Sequence, residues 1–202
     1  MDRWHRPPAE IPTAEFFETW LPAAYAAERP PTGGGPVVRA TLSGPGGGAW
    51  DIEPEDDALH VTPAGGGAPD VWVRQANADF RAVLDGHPDL PALVPPNWSM
   101  LDLLFLDPRD GELLRQIDGR VLVEVTGRRG RRWSFDAAFG KTGVTAGRAR
   151  TTVRVDGATF EGMQSGRIPP MQPLLDGRLS LEGDRTFAMQ VLLLLGSRLG
   201  RR

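Results

Sequence analysis

The chain has 202 residues, enough for one large hydrophobic core or two small ones. Hydrophobic residues make up 40% and charged residues 24%, and no apolar run exceeds Val191–Leu195, which excludes a disordered tail and a membrane-spanning helix. Cysteine is absent and the three histidines (His5, His60, His87) lie far apart, which excludes disulfides, thiolate nucleophiles and cysteine-ligated metal and leaves no histidine-rich metal site or cofactor expected. The start, Met1 to Pro8, shows no apolar core of a secretory signal. With 22 arginines against the single Lys141 and abundant Ala, Gly and Pro, the composition points to a GC-rich bacterial gene and a cytoplasmic protein.

Charge is unevenly spread. Residues 1–97 carry 14 acidic and 6 basic side chains, net −8, and residues 98–202 carry 12 and 17, net +5, which together give −3. The split suggests two structural units whose opposite signs favour docking on each other.

Residues 13–29 read as a helix: Phe16, Phe17, Trp20, Leu21, Ala24 and Tyr25 recur at helical spacing, with Thr13 as cap and Pro30-Pro31 as stop. Short strands follow, alternating through Val38, Ala40 and Leu42, then Trp50 and Ile52, Leu59 and Val61, and Val71 and Val73. Glycine-rich turns lie at 44–48 and 65–67, a short helix carries Phe80, Val83 and Leu84, and the four prolines of 86–97 mark a linker. An apolar segment, Trp98 to Leu106, and a helix over 110–117 open the second half. Val121, Val123 and Val125 share one strand face, Trp133, Phe135 and Ala137 another, and Gly127-Arg128-Arg129-Gly130 between them completes a hairpin. Strands at 143–148 and 151–155, a helix over 158–165, a short helix over 171–176 and a strand over 178–182 come next. Asp184 then caps a final helix over 185–199.

Trp50-Asp51-Ile52 can be laid on Trp133-Ser134-Phe135. Each is followed by a Val-x-Val strand (Val71/Val73, Val153/Val155) and a helix reading Phe80-x-x-Val83-x-x-Gly86 or Phe160-x-x-Met163-x-x-Gly166. The sequence therefore predicts an internal repeat whose first copy is shortened, dividing the chain at 97/98.

The stretch Phe160 to Asp184, with its apolar helix ending in Gly166, the turn Pro169-Pro170, a short helix and Gly177-Arg178-Leu179-Ser180-Leu181-Glu182-Gly183, resembles the C-terminal half of the sterol carrier protein type 2 domain. The closing apolar helix, Phe187 to Leu195, falls in family order, as do the preceding hairpin and Val153-x-Val155. The resemblance covers residues 98–202, and residues 13–86 as a diverged, truncated copy. It implies an α+β fold, a mostly antiparallel five-stranded sheet with helices on one face, and a tunnel between them for sterols, acyl chains or other lipids. The strand faces alternate cleanly, so one face is solvated and the other must be covered by helices.

Eight of the nine residues from Phe187 to Leu195 are apolar, so this helix is buried all round, covered by a partner, or borders a ligand cavity. On the last reading the tunnel is lined by Trp133, Phe135, Phe160, Met163, Ile168, Met171, Leu175, Phe187, Val191 and Leu195. The flexible thioethers suit varied alkyl shapes, though methionine also fills gaps in ordinary cores. Arg128, Arg129, Arg131 and Arg132 at the hairpin tip form either a solvated turn or a contact with anionic lipid. With no aromatic platform beside them, nucleic acid is not expected. Gly44-Pro45-Gly46-Gly47-Gly48 lacks the Lys-Ser/Thr of a phosphate loop. Glu53, Glu55, Asp56 and Asp57 lack calcium-loop spacing. His87-Pro88-Asp89 lacks the all-helical context of a co-chaperone domain. No nucleophile–base pair stands at recognisable spacing, and the expectation is a non-catalytic binder of a lipid or similar apolar molecule. The alternative is a protein-interaction module with a closed cavity, whose apolar terminal helix binds a partner chain.

Overall fold

Among the described residues, alternation of apolar and polar side chains yields eight strands: β1 Val38–Ser43, β2 Gly48–Glu55, β3 Ala58–Pro63, β4 Val71–Ala76, β5 Gly119–Thr126, β6 Arg132–Phe139, β7 Thr151–Asp156 and β8 Leu179–Gly183. The computed structural model describes residues 7–8, 10–27, 35–85, 104, 108–140, 150–164, 167–169 and 171–191. Helix α1 runs through Thr13–Glu15, a π-helical turn at Phe16–Trp20 and Leu21–Ala27. The others are α2 Asn77–Asp85, α3 Pro108–Gln116, α4 Gly157–Gln164, α5 Gln172–Leu175 and α6 over 185–191. The expected strand at 143–148, the linker at 86–97 and all of the segment 98–106 except Leu104 lie outside the described residues.

All eight strands form one sheet in the order β3-β2-β1-β4-β6-β5-β7-β8. Two neighbouring pairs are parallel, β1 with β4 and β5 with β7, and the other five are antiparallel. The chain is thus α+β with a mostly antiparallel sheet, as expected. The five strands implied by the family resemblance become eight because β4, at the edge of the first four strands, hydrogen-bonds directly to β6 of the second half.

One face of the sheet is the core. Val38, Ala40, Leu42, Trp50, Ile52, Val121, Val125, Trp133, Ala137, Val153 and Val155 are all buried there, with Phe16, Phe17, Leu21 and Tyr25 of α1 in the same cluster. The opposite face is polar and knitted by ion pairs. Arg39 meets Asp51 across β1–β2 at 2.6 Å, and Arg154 on β7 reaches Glu124 on β5 at 2.7 Å and Glu182 on β8 at 2.5 Å. Such a surface needs no covering layer.

At the seam between the halves, Val71 lies opposite Phe139, Trp72 opposite Ala138, Val73 opposite Ala137 and Arg74 opposite Asp136. Asp136 accepts from Arg120 Nε at 2.7 Å and is reached by Arg74 Nη2 at 3.3 Å, so one carboxylate ties three strands. Ala138 sits on the polar face yet is completely buried, because Trp72 and Arg120 stand opposite it on either side. Arg74 lies 4.6 Å over the Trp72 ring, and Trp72 Nε1 donates to Thr41 Oγ1 at 2.9 Å.

Net charge explains the docking only in part. Asp70–Arg115 at 3.6 Å and Asp79–Arg131 at 4.0 Å follow the expected polarity, whereas Arg74–Asp136 runs against it. A second correction concerns Thr13, which does not cap α1. Pro12 holds the cap position, and the buried Thr13 Oγ1 instead donates to Asn77 Oδ1 at 2.9 Å. Asn77 Nδ2 in turn donates to Pro45 O at 2.8 Å, so a single amide joins α1, α2 and the 44–47 turn.

Asp136→Ala leaves Arg74 and Arg120 facing one another without their shared partner. Urea denaturation of this variant should show a loss of about 1.5 kcal/mol, the low end for hydrogen bonds to a charged group in a half-buried pair; a loss below about 0.5 kcal/mol, the level of an ordinary surface substitution, would mean that the carboxylate does not hold the seam.

Candidate functional site

The inner face of β5–β8 carries a cluster of aromatic and aliphatic side chains. Trp133 and Phe135, two residues apart on β6, point to the same side, and their rings lie 5.7 Å apart at 25°. Phe160 on α4 meets the Trp133 ring edge-on at 5.4 Å and 82°. Arrangements of this kind contribute ~0.5–1.5 kcal/mol per pair beyond burial.

The covering helices are set by their ends. Asp156, at the end of β7, accepts from Thr159 N at 2.9 Å and Thr159 Oγ1 at 2.6 Å and so caps α4. After α4 the chain folds back, with Ile168 N donating to Gly162 O at 2.9 Å; a Cβ at Gly162 would meet Ile168 Cγ1 at 2.8 Å, so glycine lets the loop pack close. In α5, Pro173 is buried and Leu174 half-buried. Gly183 has φ +100°, and an added Cβ would collide with Arg150 O. This close approach lets Asp184 N donate to Arg150 O at 3.1 Å, while Asp184 Oδ1 accepts from Phe187 N at 2.9 Å and caps α6 as expected. Phe187 then lies on the backbone of Gly119 and 6.2 Å from the Phe139 ring.

Of the ten residues proposed from sequence, Trp133, Phe135 and Phe160 form one cluster, and Met163, packed against the core, is half-buried. Ile168 is half-buried against Gly162, and Phe187 and Val191 are buried on the α6 side. Met171 (38% exposed) and Leu175 (81% exposed) face outward instead of lining the interior. Leu195 lies outside the described residues. Sequence reasoning missed Phe139, which continues the Phe135 face by four residues and was legible from that alternation. It also missed the buried polar groups. Thr151 Oγ1 donates to Asp184 O at 2.7 Å and Thr159 is bonded to Asp156, but the buried Trp133 Nε1 has no acceptor among the described residues.

Two carboxyls beside the covering helices are perturbed. Burial pushes Asp156 up, but hydrogen bonds from the Thr159 hydroxyl and from backbone N–H groups outweigh it and hold the carboxyl below its ordinary value. The Phe187 backbone N–H, aided by Arg150, holds Asp184 low as well. The acidic cluster at 53–57 is solvent-exposed, with Glu55 3.4 Å from His60, and among the described residues no three His, Asp or Glu groups are placed to hold a metal.

The fold is thus an α+β sheet with helices over one face and aromatic and aliphatic side chains packed between them. Residues 101–195 match the model of the SCP-2 sterol transfer family. Among curated proteins none matches. Among solved structures, the chain is similar to sterol carrier protein 2 from Yarrowia lipolytica in its apo form, with 14% identity, 46% of this chain and 78% of that one covered, and a TM-score of 0.35. The sterol carrier protein domain 2 of Helicoverpa armigera gives 16% identity, 45% and 75% coverage and a TM-score of 0.35. A conserved hypothetical protein of Thermus thermophilus, described as possibly a sterol carrier protein, gives 18%, 44% and 69%, and 0.29. No helix among the described residues is long and apolar enough to cross a membrane.

Asp156→Ala should lower stability by about 1 kcal/mol, the usual scale of an N-cap. Because both carboxyls are lowered on folding, their stabilisation is complete above the unfolded value near pH 4 and disappears as pH falls through the folded values. Thermal melts of the wild type should therefore fall steeply below about pH 4, and Asp156→Asn should flatten that limb.

Proposed function

We propose that the chain binds an apolar small molecule, a lipid or sterol, between the inner face of β5–β8 and helices α4 and α6, and carries it without chemical change. The observation that carries this reading is that the Trp133–Phe135–Phe160 cluster lies wholly inside the segment matching the sterol transfer family. Met163 and Val191 extend the lining. Residues 1–97 are a shortened copy of 98–202, a division supported by register. Val38 lies opposite both Ile52 and Val71, and Val123 lies opposite both Phe135 and Val153, which is the alignment that laying Trp50 on Trp133 requires.

Delivery is to an anionic membrane surface in the cytoplasm. The tip Arg128–Gly130 exposes Arg128, Arg129 and Arg132, while Arg131 is half-buried near Asp79. Since β7 runs parallel to β5, and β8 starts beside the end of β7, the exposed Met171 and Leu175 lie at the same end of the sheet as the tip. The alternative, an interaction module docking a partner chain, draws on the same exposed Leu175.

Titration with a fluorescent fatty acid should saturate at one site per chain, and Met163→Trp should abolish binding with an unchanged melting temperature. Non-saturable or absent binding overturns the carrier reading and favours the interaction module. Vesicle sedimentation should show salt-sensitive binding to anionic but not neutral vesicles, weakened about fivefold for each of Arg128 and Arg132 replaced by Gln. Equal binding to both vesicle types would rule out the surface contact.

A further inference from the structure

The two halves of the sheet place a tryptophan at the same point of the ladder. Trp50 on β2 lies opposite Ala40 on β1, which lies opposite Val73 on β4. Trp133 on β6 lies opposite Val125 on β5, which lies opposite Val155 on β7. Both residues are buried, at 4% and 2% exposure.

Their N–H groups end differently. Trp50 Nε1 donates to Glu18 Oε1 at 2.9 Å, and Phe17, the residue before Glu18, stacks on the Trp50 ring at 4.5 Å and on Phe80 at 5.5 Å. Helix α1 therefore lays an aromatic ring and a carboxylate on that indole. Trp133 has its aromatic neighbours, Phe135 and Phe160, but its Nε1 is buried without an acceptor among the described residues. Two residues earlier, Arg131 likewise buries an Nε that has no acceptor among them. An indole N–H can only donate, and a buried donor that has given up its water is stabilised only when an acceptor replaces it. Arg131, whose Nη2 lies 4.0 Å from Asp79, precedes Trp133 by two residues at the start of β6, and a cation at that end of the strand favours an anionic acceptor.

We propose that Trp133 Nε1–H, with Arg131 Nε–H, is the head-group site of the ligand cavity and takes the carboxylate of an apolar-chain acid, as Trp50 takes the carboxylate of Glu18. The proposal rests on the carrier reading above and adds the ligand's polar end to it. No bond is made or broken.

The test compares two amphiphiles of equal chain length on the full chain: dodecanoate, which carries an anionic acceptor, and dodecyltrimethylammonium, which carries none. By calorimetric titration, Trp133→Phe should weaken dodecanoate about tenfold, the ratio for one hydrogen bond to a charged group. Binding of the ammonium compound should be unchanged. In wild-type protein, the Trp133 indole N–H resonance should move downfield with dodecanoate and stay in place with the ammonium compound, which tests the contact without any substitution. Trp50→Phe should leave both affinities as they are. An unmoved indole resonance, or equal weakening of both ligands, overturns the head-group assignment while leaving the carrier reading standing. If neither amphiphile binds the wild type, both fall together.

Discussion

Asp136 stands between Arg74 and Arg120, on the row of backbone hydrogen bonds that joins β4 to β6, and on that row depends the merging of two sets of strands into one sheet. An exposed strand edge offers unpaired N–H and C=O groups to any other strand. Here the edge of β4 is consumed by β6 and the edge of β6 by β4, leaving β3 and β8 as the outermost strands. The seam is apolar below, where Val71 meets Phe139 and Val73 meets Ala137, and ionic above. At the seam the ion pairs keep to the solvated face and the inner face is apolar, and helices from both halves rest on one continuous core.

That continuity makes the contrast between Trp50 and Trp133 meaningful. Both occupy the same row of the ladder, and both are walled by phenylalanine. In the first half, α1 completes the wall from within the chain. Its π-helical turn widens the helix where Phe16 and Phe17, adjacent in sequence, are both buried, and the same turn brings Glu18 to the indole nitrogen. In the second half the ring contacts are made and the polar contact is left open among the described residues. Burial energy is spread over many residues in both halves, but the difference between the two indoles comes down to one carboxylate.

Much of this was legible in the sequence because it is local. The alternation of Val121, Val123 and Val125, the Gly127–Gly130 turn and the Asp184 cap each follow from neighbouring residues, and the structure has them where periodicity and capping chemistry put them. Thr13 was misread because a hydroxyl beside a helix start satisfies a local cap or a distant amide equally well, and Asn77, 64 residues away, wins it. The pairing of β4 with β6 is non-local, so alternation in Val71–Val73 says which face is buried and nothing about which strand comes alongside. Net charge pointed to attraction between the halves but could not place Arg74 against Asp136. The outward turn of Met171 and Leu175 was equally hidden, since apolarity alone does not tell an interior position from an exposed one. The open Trp133 donor is visible only once its surroundings are known.

The seam also sets a timetable for the nascent chain. β4 is complete at residue 76, whereas β6, its neighbour, ends only at residue 139. At roughly 5–20 residues per second, the ribosome leaves the edge of β4 open for on the order of ten seconds. During that interval the first half holds a finished β1–β4 pairing with a bare flank, and the strand next to arrive decides whether the chain folds on itself or on its neighbour.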